Sequence, residues 1–194
     1  MKTLLSICAL ALSLFTSAQD KPEGLFINSK APEIKDTDQS GLEVSLKNLR
    51  KKGSVVVIFY RGYWCPYCNK ELKRFADSLN LITDKKATVL AVSPEGAEGR
   101  SKTVAATGAT FSFVTDADAA IARAYKTSYV VDDKTLARYK SFGNDLLSIN
   151  AQKGQAVLPV PAVYIVNKDG YVTYRFFEPD FRKRPWVADI LKNL

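Results

Sequence analysis

Residues 55–72 read VVVIFYRGYWCPYCNKEL: a β-branched and aromatic run, then a Cys-Pro-Tyr-Cys pair where a helix begins. Ser54 to Tyr60 has the uninterrupted apolar character of a strand covered on both faces. Beyond the pair, Leu72, Phe75, Leu79 and Ile82 recur at spacings of three and four, which predicts an amphipathic helix over 71–82. A strand that delivers two cysteines to a helix start suits thiol chemistry, although the same spacing also serves half a zinc site or a structural disulfide. Structural zinc takes about four ligands, usually Cys or His, and this chain has no His and only one further cysteine, Cys8. The missing His also removes Cys-His and Ser-His-Asp catalysis and the imidazole general base. No metal or other cofactor is expected. A disulfide closing so short a loop removes little unfolded-state entropy, which makes a purely stabilising bond the weaker reading.

Residues 1–18, MKTLLSICALALSLFTSA, carry one Lys, an apolar run from Leu4 to Phe15, and small residues at Thr16 and Ala18. This is the pattern of a secretory signal peptide cleaved before Gln19. The run is too short to span a bilayer as a mature helix, and Ile7 stands where a lipoprotein has a small residue before Cys8. A retained anchor or a buried core helix is the alternative. After cleavage only Cys65 and Cys68 remain, an even pair suited to an oxidising, periplasmic or otherwise extracytoplasmic setting. Residues 19–30 read as a flexible N-terminal segment, and residues 31–194 as one domain large enough to bury its own core. The formal charge of +8 is scattered, without the dense basic stripe and binding module that nucleic acid requires, so no nucleic-acid partner is expected.

Ile34, Leu42, Val44 and Leu46 alternate with polar residues around Gln39-Ser40-Gly41, a hairpin signal. Thr88 to Val92 is a second buried strand, parallel to the first across the intervening helix. A helix is predicted over 100–107, a strand over 111–114, and a helix ending at Ala124 capped by Asp116 or Asp118. Residues 125–159 read as an insertion near the site, with a strand over 129–131 and a short helix over 144–149. A hairpin of 163–166 and 171–177 turns at Asn167 to Gly170, and a helix over 186–194 closes the chain. The expected architecture is α/β, a mixed central sheet flanked by helices behind an N-terminal hairpin.

A thiol titrates near about 8.5 in isolation and falls to about 3.5–7.5 at a helix N-terminus or beside a cation. Both devices are present, since the helix begins at or just after Cys65 and Arg61 lies four residues earlier. Cys65 and Cys68 occupy neighbouring positions on one helical face and can form a disulfide, one sulfur attacking and the other resolving. Greater exposure and the helix dipole favour Cys65 as the attacking sulfur. Glu71 reads from its position alone as a first-turn Glu favoured by the dipole. Trp64 and Tyr67 form a docking rim or simply pack.

The Trp-Cys-Pro-Tyr-Cys helix start together with Val160-Pro161-Ala162 before a late hairpin resembles the thioredoxin fold, and the resemblance implies a cis Pro161 facing the cysteines. The hairpin APEIKDTDQSGLEVSLKNL, FYRGYWCPYCNKEL, AVSPE at 91–95, LPVPAVYIVNKDG at 158–170 and EPDFRKR at 178–184 further resemble the peroxiredoxin-like branch of the AhpC/TSA (redoxin) family. That resemblance implies reduction of hydroperoxides through a Cys65/Cys68 dithiol-disulfide cycle, restored by a thioredoxin-like electron donor. It places Arg61 at the family's Pro, Cys65 at its Thr and Cys68 at its peroxidatic Cys, the competing assignment of the nucleophile, and it matches Glu71 to the acidic residue that follows that Cys. Pro161 falls near the expected remote Arg, and Arg61 is the candidate to replace that Arg. An extracytoplasmic oxidoreductase acting on protein disulfides is the alternative activity, and a redox-inert module with a permanent disulfide is a third. No oligomeric state follows from the sequence.

Overall fold

The computed structural model describes residues 21–194, so the expected signal peptide and Cys8 lie outside the described residues. The predicted hairpin forms from β1 (Lys35–Thr37) and β2 (Glu43–Ser45), with the Asp38 carboxylate closing its turn by accepting the N–H groups of Ser40 and Leu42 at 2.8 and 3.1 Å. Leu46 is buried as the first residue of a helix, α1 (Leu46–Lys52), instead of continuing the strand, because the Ser45 hydroxyl caps Asn48.

β3 (Val55–Phe59) lies at the middle of a five-stranded sheet. α2 (Pro66–Asp77) and α3 (Leu79–Asp84) lead into β4 (Thr88–Ser93), and α4 (Ala97–Thr107) into β5 (Ser112–Thr115). The single helix predicted over 71–82 is two, because Ser78 leaves helical geometry at ψ 10. α5 (Ala120–Ala124) uses both predicted aspartates: Asp116 accepts from Ile121 and Ala122, and Asp118 from Ala120. β6 (Ser128–Val130), α6 (Asp133–Ser141), α7 (Leu146–Ile149) and β7 (Val157–Pro159) follow. β8 (Ala162–Val166) and β9 (Val172–Phe177) then form the late hairpin, and α8 (Val187–Asn193) ends the chain. The strand order is β5-β4-β3-β8-β9, with β3, β4 and β5 parallel and β8 and β9 antiparallel. This is the expected mixed α/β sheet.

The insertion holds more structure than its sequence suggested. α6 buries none of its residues, so its apolar pattern is faint, and its start rests on the Asp132 carboxylate accepting from Thr135. β6 and β7 pair with each other and stand outside the main sheet. The segment expected as a flexible tether is also pinned: Gly24, Asn28 and Ala31 donate backbone hydrogen bonds to Lys126, Val172 and Gly170, and Leu25 is buried. Its polar composition concealed that the edge strand β9 offers it the Val172 carbonyl.

Alternation along β3 divides the core. Val55, Val57 and Phe59 pack with Leu90, Val92, Tyr125 and Tyr164 on one face. Val56, Ile58 and Tyr60 pack on the other with Leu72, Phe75, Phe113 and both cysteines. A tight backbone approach sets where β3 begins, since a Cβ at Gly53 would lie 1.5 Å from the Lys86 carbonyl oxygen. Gly53→Ala is expected to cost about 1–3 kcal/mol of stability by forcing α1 and the α3–β4 turn apart. Urea denaturation measures this, and a loss below about 0.5 kcal/mol would mean that the contact relaxes freely.

Candidate active site

β3 ends at Phe59, and residues 60–65 carry the chain across the end of the sheet to Cys65, the N-cap of α2, with Pro66 as its first helical residue. Proline fits there because it lacks an N–H that the first turn would leave unpaired. The loop is held from β4. Glu95, buried past its end, accepts from the Tyr63 N–H at 2.7 Å and from Thr103 Oγ1 at 2.7 Å, and Tyr60 donates its hydroxyl to the same carboxyl. Gly62 turns the loop at φ 141, where a Cβ would meet Trp64 Nε1 at 2.6 Å. The Gly62 carbonyl then accepts from the Cys65 N–H at 3.0 Å, and Asn69 Nδ2 ties the Tyr63 carbonyl to the helix.

Both cysteines are free and buried, with the Cys68 thiol donating to Cys65 Sγ at 2.7 Å. Exposure does not separate them, at 1% for Cys65 and 0% for Cys68, because aromatic side chains cover the sulfur expected to be open. Electrostatics separates them. The Cys68 thiol hydrogen bond lowers the Cys65 pKa to about 6, and Arg61 adds to this against the opposing effect of burial. Burial pushes the Cys68 thiol well up, its contact with Cys65 adds to the rise, and Arg184 opposes it. The helix N-terminus favours the same ionisation of Cys65.

Arg61 is 3% exposed. Its guanidinium donates to the Tyr139 hydroxyl and lies 4.4, 4.8 and 5.4 Å from the rings of Phe181, Trp64 and Tyr139. Among the described residues no carboxylate forms an ion pair with it. Burial works against its charge, which Tyr129, Tyr139 and Cys65 nevertheless hold in place. Arg61, Cys65, Trp64, Tyr67, Tyr139 and Phe181 line a cavity of about 310 Å³. Trp64 therefore packs, its ring 4.9 Å from Tyr139, whereas Tyr67 stays on the rim against Phe181.

Of the expected site residues, Arg61, Cys65 and Cys68 converge. Pro161 lies at the same end of the sheet, one residue beyond the Phe59–Ala162 pair, but does not line the cavity. Its expected cis bond is absent, since no cis peptide occurs among the described residues. The trans link joins two ladders, since β7 ends at Pro159 in its pairing with β6 and β8 begins at Ala162 in its pairing with β3. Glu71 is not a solvated first-turn residue: it is buried and pairs with Arg184, whose Nε lies 2.8 Å from Oε2. Burial raises its pKa to about 7, opposed by Arg184 and Arg74. Tyr129, Tyr139, Phe181 and Glu95 were not identified from sequence. EPDF offered a motif for Phe181, but nothing local marked the tyrosines.

The profile described as AhpC/TSA family matches residues 27–175. A Helicobacter pylori (strain J99) protein named as a peroxiredoxin, bcp, is 31% identical over 104 residues, 54% of this chain and 68% of that one. The thiol-disulfide oxidoreductase ResA of Bacillus subtilis is 28% identical over 130 residues, 64% of this chain and 69% of that one. Among solved structures, the peroxidoxin BcpB of Mycobacterium tuberculosis superposes with a TM-score of 0.65 at 16% identity, covering 86% of this chain and 94% of that one. At that identity the likeness establishes the shared fold.

Alkylation by iodoacetamide reports the thiolate directly. In the reduced protein its rate at Cys65 should rise with a midpoint near pH 6. Cys68→Ala and Arg61→Met each remove a group that favours the thiolate, so each midpoint should move upward, by roughly a unit or more. An unmoved midpoint in both variants would contradict this account of the acidity.

Proposed function

The chain belongs to the AhpC/TSA family, and from that premise we propose that it is a thiol-dependent, peroxiredoxin-like peroxidase with Cys65 as the attacking sulfur and Cys68 as the resolving one. The observation that carries this reading is the acidic Cys65 at a helix start, facing a cavity that also holds Arg61, a cation without a carboxylate partner among the described residues. The Cys65 thiolate attacks the terminal oxygen of a hydroperoxide, the O–O bond breaks, and the departing alkoxide or hydroxide takes a proton. Arg61 directs N–H donors and positive charge at those oxygens, the task that the family pattern gives to a Thr and a remote Arg. Cys65 becomes a sulfenic acid, the Cys68 thiol displaces its hydroxyl as water, and a disulfide remains. A dithiol donor of the thioredoxin type supplies two electrons to reopen it.

The likeness to ResA and the Cys-Pro-Tyr-Cys sequence support a second reading, exchange with protein disulfides. The apolar run and small residues of 1–18 support export to the periplasm or another extracytoplasmic space, where either activity would find its partners.

Single-turnover oxidation of the reduced protein by hydrogen peroxide, followed by Trp64 fluorescence and free-thiol counts, tests the peroxidase. Wild type should oxidise at least about a hundredfold faster than a free thiol, Cys68→Ser should accumulate a trappable sulfenic acid on Cys65, and Cys65→Ser should lose the fast phase. Oxidation at the free-thiol rate, with rapid reduction of a disulfide substrate, would replace this reading with the second.

A further inference from the structure

The tail at 178–184 folds back on itself and ends at the sulfurs. Glu178 accepts from the Asp180 N–H at 3.0 Å, the Asp180 carboxylate holds Arg182 at 2.8 and 3.0 Å, and Lys183 lies 3.4 Å from Glu178. Phe181 is thereby set over Arg61, and Arg184 is carried inward. The three guanidinium nitrogens of Arg184 have separate tasks. Nη1 donates to the carbonyls of Phe181 and Lys183, Nε faces the Glu71 carboxylate at 2.8 Å, and Nη2 donates to Cys68 Sγ at 3.4 Å. With side chains 4% and 2% exposed, Arg184 and Glu71 form the only fully buried ion pair among the described residues.

We infer that Arg184 is a catalytic residue for Cys68, its guanidinium holding the buried thiolate released whenever the Cys65–Cys68 disulfide is opened, with Glu71 as the positioning residue that keeps Nη2 on the sulfur. The inference rests on the proposed cycle of the two cysteines and adds to it a second cation with a second task. Cys68 sits among Val56, Ile58, Leu72 and Phe75 without exposure to water, where an unpaired charge is costly. Yet reduction must place a charge there. As the donor thiolate forms a bond with Cys65 Sγ, the Cys65–Cys68 bond breaks and its electron pair remains on Cys68. A proton equal to the one lost when the donor thiol ionised then converts Cys68 to the thiol. The donor's second thiol, once ionised, completes the two-electron transfer, oxidising the donor to its disulfide and freeing Cys65. Nothing but Arg184 brings a cationic side chain into hydrogen-bond reach of Cys68 Sγ among the described contacts. A lysine could not reproduce its three-way fork, since an ammonium is a point charge.

The full mature chain, oxidised with diamide, is mixed with dithiothreitol, and disulfide opening is followed by fluorescence in wild type, Arg184→Met, Arg184→Lys, Glu71→Gln and Glu71→Gln/Arg184→Met. Loss of a charge-assisted contact should slow opening about tenfold or more in Arg184→Met, with Arg184→Lys recovering part of the rate. Glu71→Gln should slow opening less, and the double variant should be no slower than Arg184→Met, because Glu71 acts only through Arg184. The double variant leaves no buried charge of the pair, so it reports even where Arg184→Met alone folds poorly. Opening within about twofold of wild type in the folded double variant would overturn the role of Arg184. Effects that multiply in the double variant would overturn that of Glu71. Diamide forms the bond without peroxide, so failure of the peroxidase reading and failure of this one are separate results.

Discussion

Every residue of β3 is buried, and successive side chains belong to different cores, Val55, Val57 and Phe59 to one and Val56 and Ile58 to the other. A slip of one residue would exchange the two sets, so pairing with β4 and β8 fixes the register. This constraint positions the site, because the chain leaves β3 directly into the loop that ends at Cys65. A strand shifted or frayed at its end would move the sulfur away from Arg61 and from Cys68. Glu95, just past the end of the neighbouring strand β4, reinforces the arrangement by holding both Tyr60 and Tyr63.

The two thiols stand one helical turn apart and have opposite acidities. Cys65 gains its acidity from a donated thiol hydrogen bond, a cation and the start of α2. Cys68, one turn deeper, faces mostly apolar neighbours and keeps its proton. The difference suits a sequence in which one sulfur must be ionised in the resting protein and the other must remain available as a thiol. It arises from the surroundings, since the residue types are identical: Cys65 accepts the Cys68 thiol and lies near Arg61, whereas burial and the contact with Cys65 raise Cys68.

The surroundings divide in the same way. Arg61, beside Cys65, is bounded by aromatic rings and tyrosine hydroxyls supplied by the loop, by α6 and by the tail, so its charge remains available to an incoming anion or a developing one. Arg184, beside Cys68, is balanced by a buried carboxylate. The insertion and the tail, which contribute nothing to the central sheet, thus form the walls of the site. The insertion's small cluster of Val131, Leu146, Ala156 and Leu158 packs against Trp64 and Tyr139, two residues that also line the cavity.

Local pattern was sufficient for much of this. The apolar run of β3, the proline at the first position of α2, the alternation in the first hairpin and the turn at Asn167 to Gly170 each follow from short-range sterics and periodicity, and together they specify the α/β frame and put a redox pair at a helix start. That histidine chemistry is unavailable needed only composition. What the sequence could not state was which distant groups meet the sulfurs. α6 carries Tyr139 on a helix without a buried face, the trans Pro161 lies between two ladders that pair with different partners, and Glu71 meets Arg184 only because the tail folds over α2. Those contacts depend on how separate elements are stacked, and the hydrogen bond and charges that divide the two acidities meet only in the folded chain.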